Sequence, residues 1–324
     1  MRVLESLEAF QALNAGGESV VTVGNFDGVH RAHQQLLQAV CREARADGRL
    51  AVAVSFEPHP SRILRPQQAP PLITPRPQRL RWIEAAAASA GGLDALVLLP
   101  FSRDLSLLSP LEFAEQVLVR GLRARALHEG ANFRFGRGHA GDMALLAELG
   151  TEFHFAVRCH PELRLRGAPV SSSRVRALLA AGAVGPARAL LGRPFSVCGL
   201  VARGRGVGRQ RTVPTLNLQH YDELLPQAGV YATCARLADR EKMAALTNVG
   251  VRPTFGEGGA LTVETHVLEP PSGGLDPALG TELEIAFLRR VRDEHRFASP
   301  EDLRRQIAAD VTGAQRYFRR IGLR

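Results

Sequence analysis

The 324-residue chain carries 41 basic against 32 acidic side chains, a formal net charge of +9, on a composition that is 45% hydrophobic. That length suits two domains, each able to bury its own core, and no apolar run is long enough to cross a bilayer. The basic charge is almost wholly arginine, dispersed and poor in interleaved aromatics, which argues against a nucleic-acid surface and for small phosphorylated ligands.

Ser19–Val23 has strand character, and residues 31–45 place Leu36, Leu37, Val40 and Ala44 at helical spacing. Between them Gly24-Asn25-Phe26-Asp27-Gly28-Val29-His30 makes a glycine-bearing turn into a helix start. Asp47-Gly48 ends that helix, and residues 50–56 form a continuous apolar run of the buried parallel kind. The proline-rich residues 58–77 read as a loop. Residues 95–101 are a second buried run, and Ser109-Pro110-Leu111-Glu112 spells a capping box with proline at the first helical position. Residues 127–129 and 152–157 supply further short strands. This alternation predicts a mostly parallel, doubly wound α/β sheet with its ligand at the carboxyl ends of the strands.

Two short helices are expected over residues 174–181 and 186–191. After Gly192-Arg193-Pro194 the texture changes to short β segments at Phe195–Ala202, 244–249, Gly229–Leu237, 261–268 and 282–287, separated by glycine and proline turns. These predict a small antiparallel barrel or sandwich, closed by a helix over Pro300–Ile321 with a Ser299-Pro300-Glu301-Asp302 start. The boundary is placed near residue 185, giving domains 1–185 and 186–324.

Composition narrows the chemistry. Lys242 is the single lysine, so no GxxxxGK[ST] loop exists and any ATP chemistry is not of the P-loop kind. Cys41, Cys159, Cys198 and Cys234 are scattered without a CxxC pair and read as core residues of a reducing compartment. Residues 1–18 lack the continuous apolar region of a secretory signal, so a cytoplasmic location is expected, with no membrane partner. No oligomeric state can be read.

His30 and His33 lie three residues apart on one helical face. They stand at a helix N-terminus, where free N–H groups and partial positive charge favour an anion. Zinc would want i, i+4 spacing and a third ligand. Three further stretches join them: Ser55-Phe56-Glu57-Pro58-His59-Pro60, Asn132-Phe133-Arg134-Phe135-Gly136, and Ser171-Ser172-Ser173-Arg174-Val175-Arg176. Each alone is ordinary. Together, on an α/β background, they outline an anion site. In the second half Glu264 and His266 alternate with Val263, Thr265 and Val267 along a strand and share its face.

The order GNFDGVHxxH, SFEPHP, NFRFG, SSSRVR resembles the FAD synthetase module of the bacterial bifunctional riboflavin kinase/FAD synthetases, within the HxGH nucleotidyltransferase superfamily. The resemblance continues through residues 199–217 (GLVARGRGVGRQRTVPTLN), 247–255 (TNVGVRPTF), 263–266 (VETH) and 292–306 (RDEHRFASPEDLRRQ), covering nearly the whole chain. It implies ATP-dependent phosphorylation of riboflavin to FMN by the C-terminal half and adenylylation of FMN to FAD, with release of pyrophosphate, by the N-terminal half. Riboflavin, FMN and ATP would be the partners, with Mg²⁺ required and no tightly bound cofactor.

Carried onto this sequence, the resemblance makes His30 and His33 catalytic. Gly24, Asn25, Phe26, Asp27, Gly28, Ser171, Ser172 and Arg174 would bind ATP, and Asn132 and Phe56 the flavin. Adenylyl transfer needs no general base, because the attacking FMN phosphate is already ionised; positioning and charge stabilisation suffice. A ribityl hydroxyl does need one, and Glu264 of the VExH motif takes that role. Gly204, Gly206, Gly208 and Arg209 would approach the kinase ATP, Thr215 and Asn217 would bind Mg²⁺, and Arg292 the flavin.

The chain departs from the family at Ala32, where HxGH has glycine, and at Thr212 and Val213, where the kinase loop usually reads GFPTAN. A threonine forced to positive φ costs about 1–3 kcal/mol. The residues therefore also allow an FMN adenylyltransferase with an impaired kinase half, or a flavin- or nucleotide-binding regulator without turnover.

Overall fold

The structure is a computed structural model that describes residues 1–14, 16–202, 215–238, 241–251, 261–270, 275, 277–295 and 297–323. These fall into two compact units, Met1–Ser172 and Ser173–Arg324.

The first unit opens with β1 (Arg2–Leu4) and α1 (Leu7–Asn14), then β2 (Ser19–Val23), α2 (Arg31–Asp47) and β3 (Leu50–Glu57). Next come α3 (Pro60–Leu64), α4 (Arg76–Ala88), β4 (Ala95–Pro100), α5 (Arg103–Leu107) and α6 (Pro110–Phe113). The last of these runs on as a wider-turn helix over Ala114–Gly121. The unit continues with β5 (Ala124–Gly130), α7 (Met143–Glu152), β6 (Ala156–His160) and a minor hairpin, β7 (Arg164–Leu165) and β8 (Ala168–Pro169). The main sheet has the order β1-β4-β3-β2-β5-β6, and all its pairings are parallel.

Both sheet faces are covered, as the unbroken apolar runs require. On one face α2 packs Leu37, Val40, Cys41 and Ala44 with Ala51, Ala53, Ile83 and Ala87. On the other, Val21, Val23, Val52 and Val97 meet Phe10, Phe113, Val117 and Leu118. From β2 the chain moves to one side through β3 and β4, then returns to the other side with β5 and β6. The order reverses between β2 and β5, where open α/β sheets place their ligands.

Two expectations change. Residues 58–77 are not simply a loop: α3 and a 3₁₀ turn at Pro66–Gln68 occupy part of the stretch, and α4 begins at Arg76. Proline at the first helical positions starts these helices instead of breaking them. The strand expected over 152–157 is displaced. Glu152 still belongs to α7, which is started by Asp142 accepting from the Ala144 and Leu145 N–H groups, and the strand begins only at Ala156.

The second unit begins with α8 (Ser172–Ala180), which spans the division, and α9 (Val184–Leu191). Then follow β9 (Phe195–Ala202), β10 (Leu216–Gln219), β11 (Gly229–Leu237), β12 (Met243–Val251), β13 (Leu261–Val267), β14 (Glu282–Arg292) and α10 (Pro300–Ile321). The strands close a barrel in the order β10-β13-β12-β11-β14-β9. Inward residues include Tyr231, Val249, Val263, Ile285 and Phe287, all buried. A hydroxyl chain, Thr233–Thr247–Thr265, crosses three strands at 2.7 and 2.9 Å. Outside, α10 lays Ala314 and Phe318 on Val230, Ala232, Ala244 and Leu246.

Candidate functional sites

At the end of β2 the chain makes a strained turn into α2. Phe26 and Val29 adopt φ of 49° and 39°, and Gly28 a φ of 85°. Non-glycine residues in that region are held there only by their surroundings. Here the hold is Asp27. Its buried carboxylate accepts from the N–H groups of Ile73 (3.0 Å) and Thr74 (2.9 Å), while the Gly28 N–H donates to the Thr74 hydroxyl at 2.8 Å. The Ser172 hydroxyl donates to the Asp27 carbonyl at 2.7 Å. Asp27 thus ties the proline-rich segment and the start of α8 to the turn.

His30 caps α2, its Nδ1 accepting from the His33 N–H. The two imidazoles stack with centroids 3.7 Å apart, and Phe26 meets His33 edge-on. Burial first, and then the neighbouring His30, hold the His33 imidazole well below the ordinary histidine range. Two buried polar atoms here, Asn25 Oδ1 and His33 Nδ1, have no hydrogen-bond partner. Buried polar atoms are rarely left so, and both lie on the segment the sequence marks for phosphate.

Of the other expected residues, Gly24 continues the sheet by donating to the Val54 carbonyl, and Phe56 meets Phe101 edge-on beside β3. Asn132 is exposed just beyond β5; its Oδ1 lies against Gly130, 3.3 Å from where a Cβ would stand. Gly136 needs to be glycine: its φ is 71° and an added Cβ would fall 2.7 Å from the Pro110 nitrogen. Ser171 and Ser172 open α8, with Arg174 in its first turn. Glu57 carries an ion pair that the sequence reading did not find, to the fully buried Arg79.

In the barrel, register does the assembling. Asn217 of β10 stands opposite Glu264 of β13, and Glu264 opposite Asn248 of β12. Asn248 pairs with Val230 and Val230 with Arg292. Paired residues share a face, so Asn217, Glu264, Asn248 and Arg292 lie in one row on the outside of the barrel. Thr215 is exposed just before β10. Asn248 was not singled out beforehand; it sits inside the motif TNVG, and only pairing reveals its place. Glu294 also reaches this row, its Oε1 2.6 Å from where a Cβ on Gly250 would stand.

Arg292 is committed: its Nε donates to Asp310 of α10 at 2.9 Å, and its Nη1 to the Asp293 carbonyl at 3.0 Å. Gly204, Gly206, Gly208, Arg209, Thr212 and Val213 lie outside the described residues. Among the described residues no group of three or more His, Cys, Asp or Glu could hold a metal. The row offers amide and carboxylate oxygens instead, hard donors that suit Mg²⁺ shared with phosphate oxygens and water.

A parallel sheet with an anion-ready helix start at its switch point, followed by a closed barrel bearing a polar row, defines a two-module protein built for phosphorylated small molecules. Comparison with known proteins makes the class specific. A family model for FAD synthetase matches residues 13–174, and one for riboflavin kinase matches residues 191–318. A bifunctional riboflavin kinase/FMN adenylyltransferase of Pseudomonas fluorescens is 37% identical, covering 91% of this chain and 92% of its own. Its counterpart in Escherichia coli (strain K12) is 33% identical, covering 92% of each. The chain belongs to the bifunctional riboflavin kinase/FMN adenylyltransferase family.

A crystal structure described as a macrolide-efflux protein from Streptococcus pneumoniae has a TM-score of 0.82 and 25% identity, covering 97% of this chain and 98% of that one. Among the described residues here, no helix is long and apolar enough to cross a membrane.

Proposed function

We propose that the chain phosphorylates riboflavin to FMN in residues 186–324 and adenylylates FMN to FAD in residues 1–185, consuming ATP in both steps. The observation that carries this is the presence of both family modules in one chain.

In the N-terminal half, ATP would lie along residues 24–28 with Ser171, Ser172 and Arg174 on its phosphates, and Phe56 and Asn132 beside the flavin. The ionised FMN phosphate attacks the α-phosphorus and pyrophosphate departs. His30 and His33 stabilise charge on the phosphorus oxygens in the transition state. In the C-terminal half Glu264 takes the proton from the ribityl hydroxyl as it attacks the γ-phosphorus. Asn217 and Thr215 would hold Mg²⁺, which neutralises phosphate charge when bound. Gly204, Gly206, Gly208 and Arg209 would contact that ATP, and Arg292 the flavin side. A cytoplasmic enzyme without a nucleic-acid partner completes the reading.

The test is incubation of the purified protein with riboflavin, ATP and Mg²⁺, followed by separation of the flavins. FAD formed from riboflavin is the expected result. Unchanged riboflavin, with FAD formed only from supplied FMN, would mean an impaired kinase half. Binding without product would mean a regulator.

A further inference from the structure

One buried carboxyl at the switch point is not used by the chemistry above. Glu129, on β5, is 2% exposed. Its Oε1 accepts the Val23 N–H at 2.6 Å and the Thr22 hydroxyl at 3.4 Å. The contact falls where the sheet comes apart. On one side, β2 stays paired with β3 as far as the Gly24 N–H, which donates to Val54 at 2.9 Å. On the other, the register with β5 ends at Val21 and Leu127. Two residues further on, a side chain has replaced the backbone ladder, and β2 and β5 separate at their carboxyl ends.

We propose that Glu129 is a positioning residue of the adenylylation site, a carboxyl splice that fixes residues 23–25 against residues 130–132 across the crevice between β2 and β5. This rests on the function proposed above, because those two segments carry Asn25 and Asn132. A side-chain bridge in place of a ladder bond keeps the strand ends apart while leaving no buried N–H orphaned. An apolar residue in its place would strand the Val23 N–H.

The bridge also has to sit beside phosphates without repelling them. Burial, opposed by the hydrogen bonds from Val23 and Thr22, pushes the Glu129 carboxyl well above the usual carboxylate range. Along β5 and β6 the neighbouring titratable side chains are His128, next to Glu129 in the strand, and Cys159, opposite it in the register. His128 and His160 hydrogen-bond each other, and His128 bonds Glu43. A neutral acid accepts the same N–H without adding charge at the crevice.

The test compares Glu129→Leu and Glu129→Gln with the unaltered chain, assaying FAD formation from FMN and FMN formation from riboflavin separately. Glu129→Leu is expected to lower kcat/KM for adenylylation about tenfold or more, the cost of a stranded buried donor, while an unchanged circular dichroism spectrum of the whole chain reports that the N-terminal unit is folded. Glu129→Gln, which keeps a neutral acceptor, is expected to recover most of that loss. It should also abolish a fall in adenylylation that the unaltered protein shows as pH rises and Glu129 ionises. Adenylylation by Glu129→Leu equal to that of the unaltered chain overturns the inference alone. An unaltered chain that makes no FAD from FMN overturns the proposed function, and this inference with it.

Discussion

Individual side chains divide the two chemistries cleanly. Glu264 is exposed on a strand whose neighbours Val263 and Thr265 are buried, so its replacement by glutamine leaves the barrel interior untouched. Glu264→Gln is expected to reduce riboflavin phosphorylation by about 10²–10⁴, the usual worth of a general base, and to leave adenylylation of supplied FMN intact. Equal loss of both activities would refute the assignment. His33 makes a different demand. Its imidazole is held below the ordinary value of 6.5 by burial and by His30, so near neutral pH the empty site carries it uncharged. A triphosphate brought against the ring favours the protonated form. ATP binding to the N-terminal half is therefore expected to take up protons and to tighten as pH falls. Calorimetry in buffers of different ionisation heat measures the uptake, and the difference between the unaltered chain and His33→Gln isolates the share of the N-terminal half. His33→Gln should abolish it, and unchanged uptake in that variant would show that another group is responsible.

At the level of elements, the sequence foretold most of what a local signal can carry. Gly48 closes α2 in the left-handed conformation, and Ser109 with Glu112 makes the capping box at α6. The strands Phe195–Ala202 and Gly229–Leu237 and the helix Pro300–Ile321 fall on their expected bounds. What it could not carry was partnership across the chain. Nothing in the proline-rich stretch announces that Ile73 and Thr74 will donate to Asp27, or that Asn248 will stand beside Glu264. Each contact is set by register or by a long return of the chain.

Glu223, between β10 and β11, belongs to the same class. It accepts the Cys198 and Asp222 N–H groups at 2.9 and 3.1 Å, yet burial outweighs them and pushes its pKa from 4.5 to about 7. A raised carboxylate pKa stabilises the fold fully only below the unfolded value. That contribution is lost as pH climbs from about 4.5 to about 7 and amounts to about 3 kcal/mol at most. The melting temperature of the C-terminal unit is expected to fall across that window. Glu223→Gln should flatten the dependence, whereas an equal slope in that variant would place its origin elsewhere.

For the molecule as a whole, each compact unit has its own core and its own candidate residues, apart from Arg174, which falls just past the division at Ser172. Two ATP-consuming steps in one chain gain from proximity only if FMN passes between them faster than it escapes. Two variants decide this. His30→Ala with His33→Ala is expected to stop FAD formation while FMN accumulates, and Glu264→Gln to stop FMN formation. Neither alone converts riboflavin to FAD. If FMN is released into solution, mixing the two restores FAD, after a lag during which FMN rises to the KM of the adenylylating partner. We expect this outcome, since residues assigned to one step are not assigned to the other. The lag should shorten in proportion as the adenylylating variant is made more abundant. An unaltered chain that makes FAD from riboflavin with no lag and no free FMN, while the mixture of variants shows both, would instead show that FMN is delivered within one molecule.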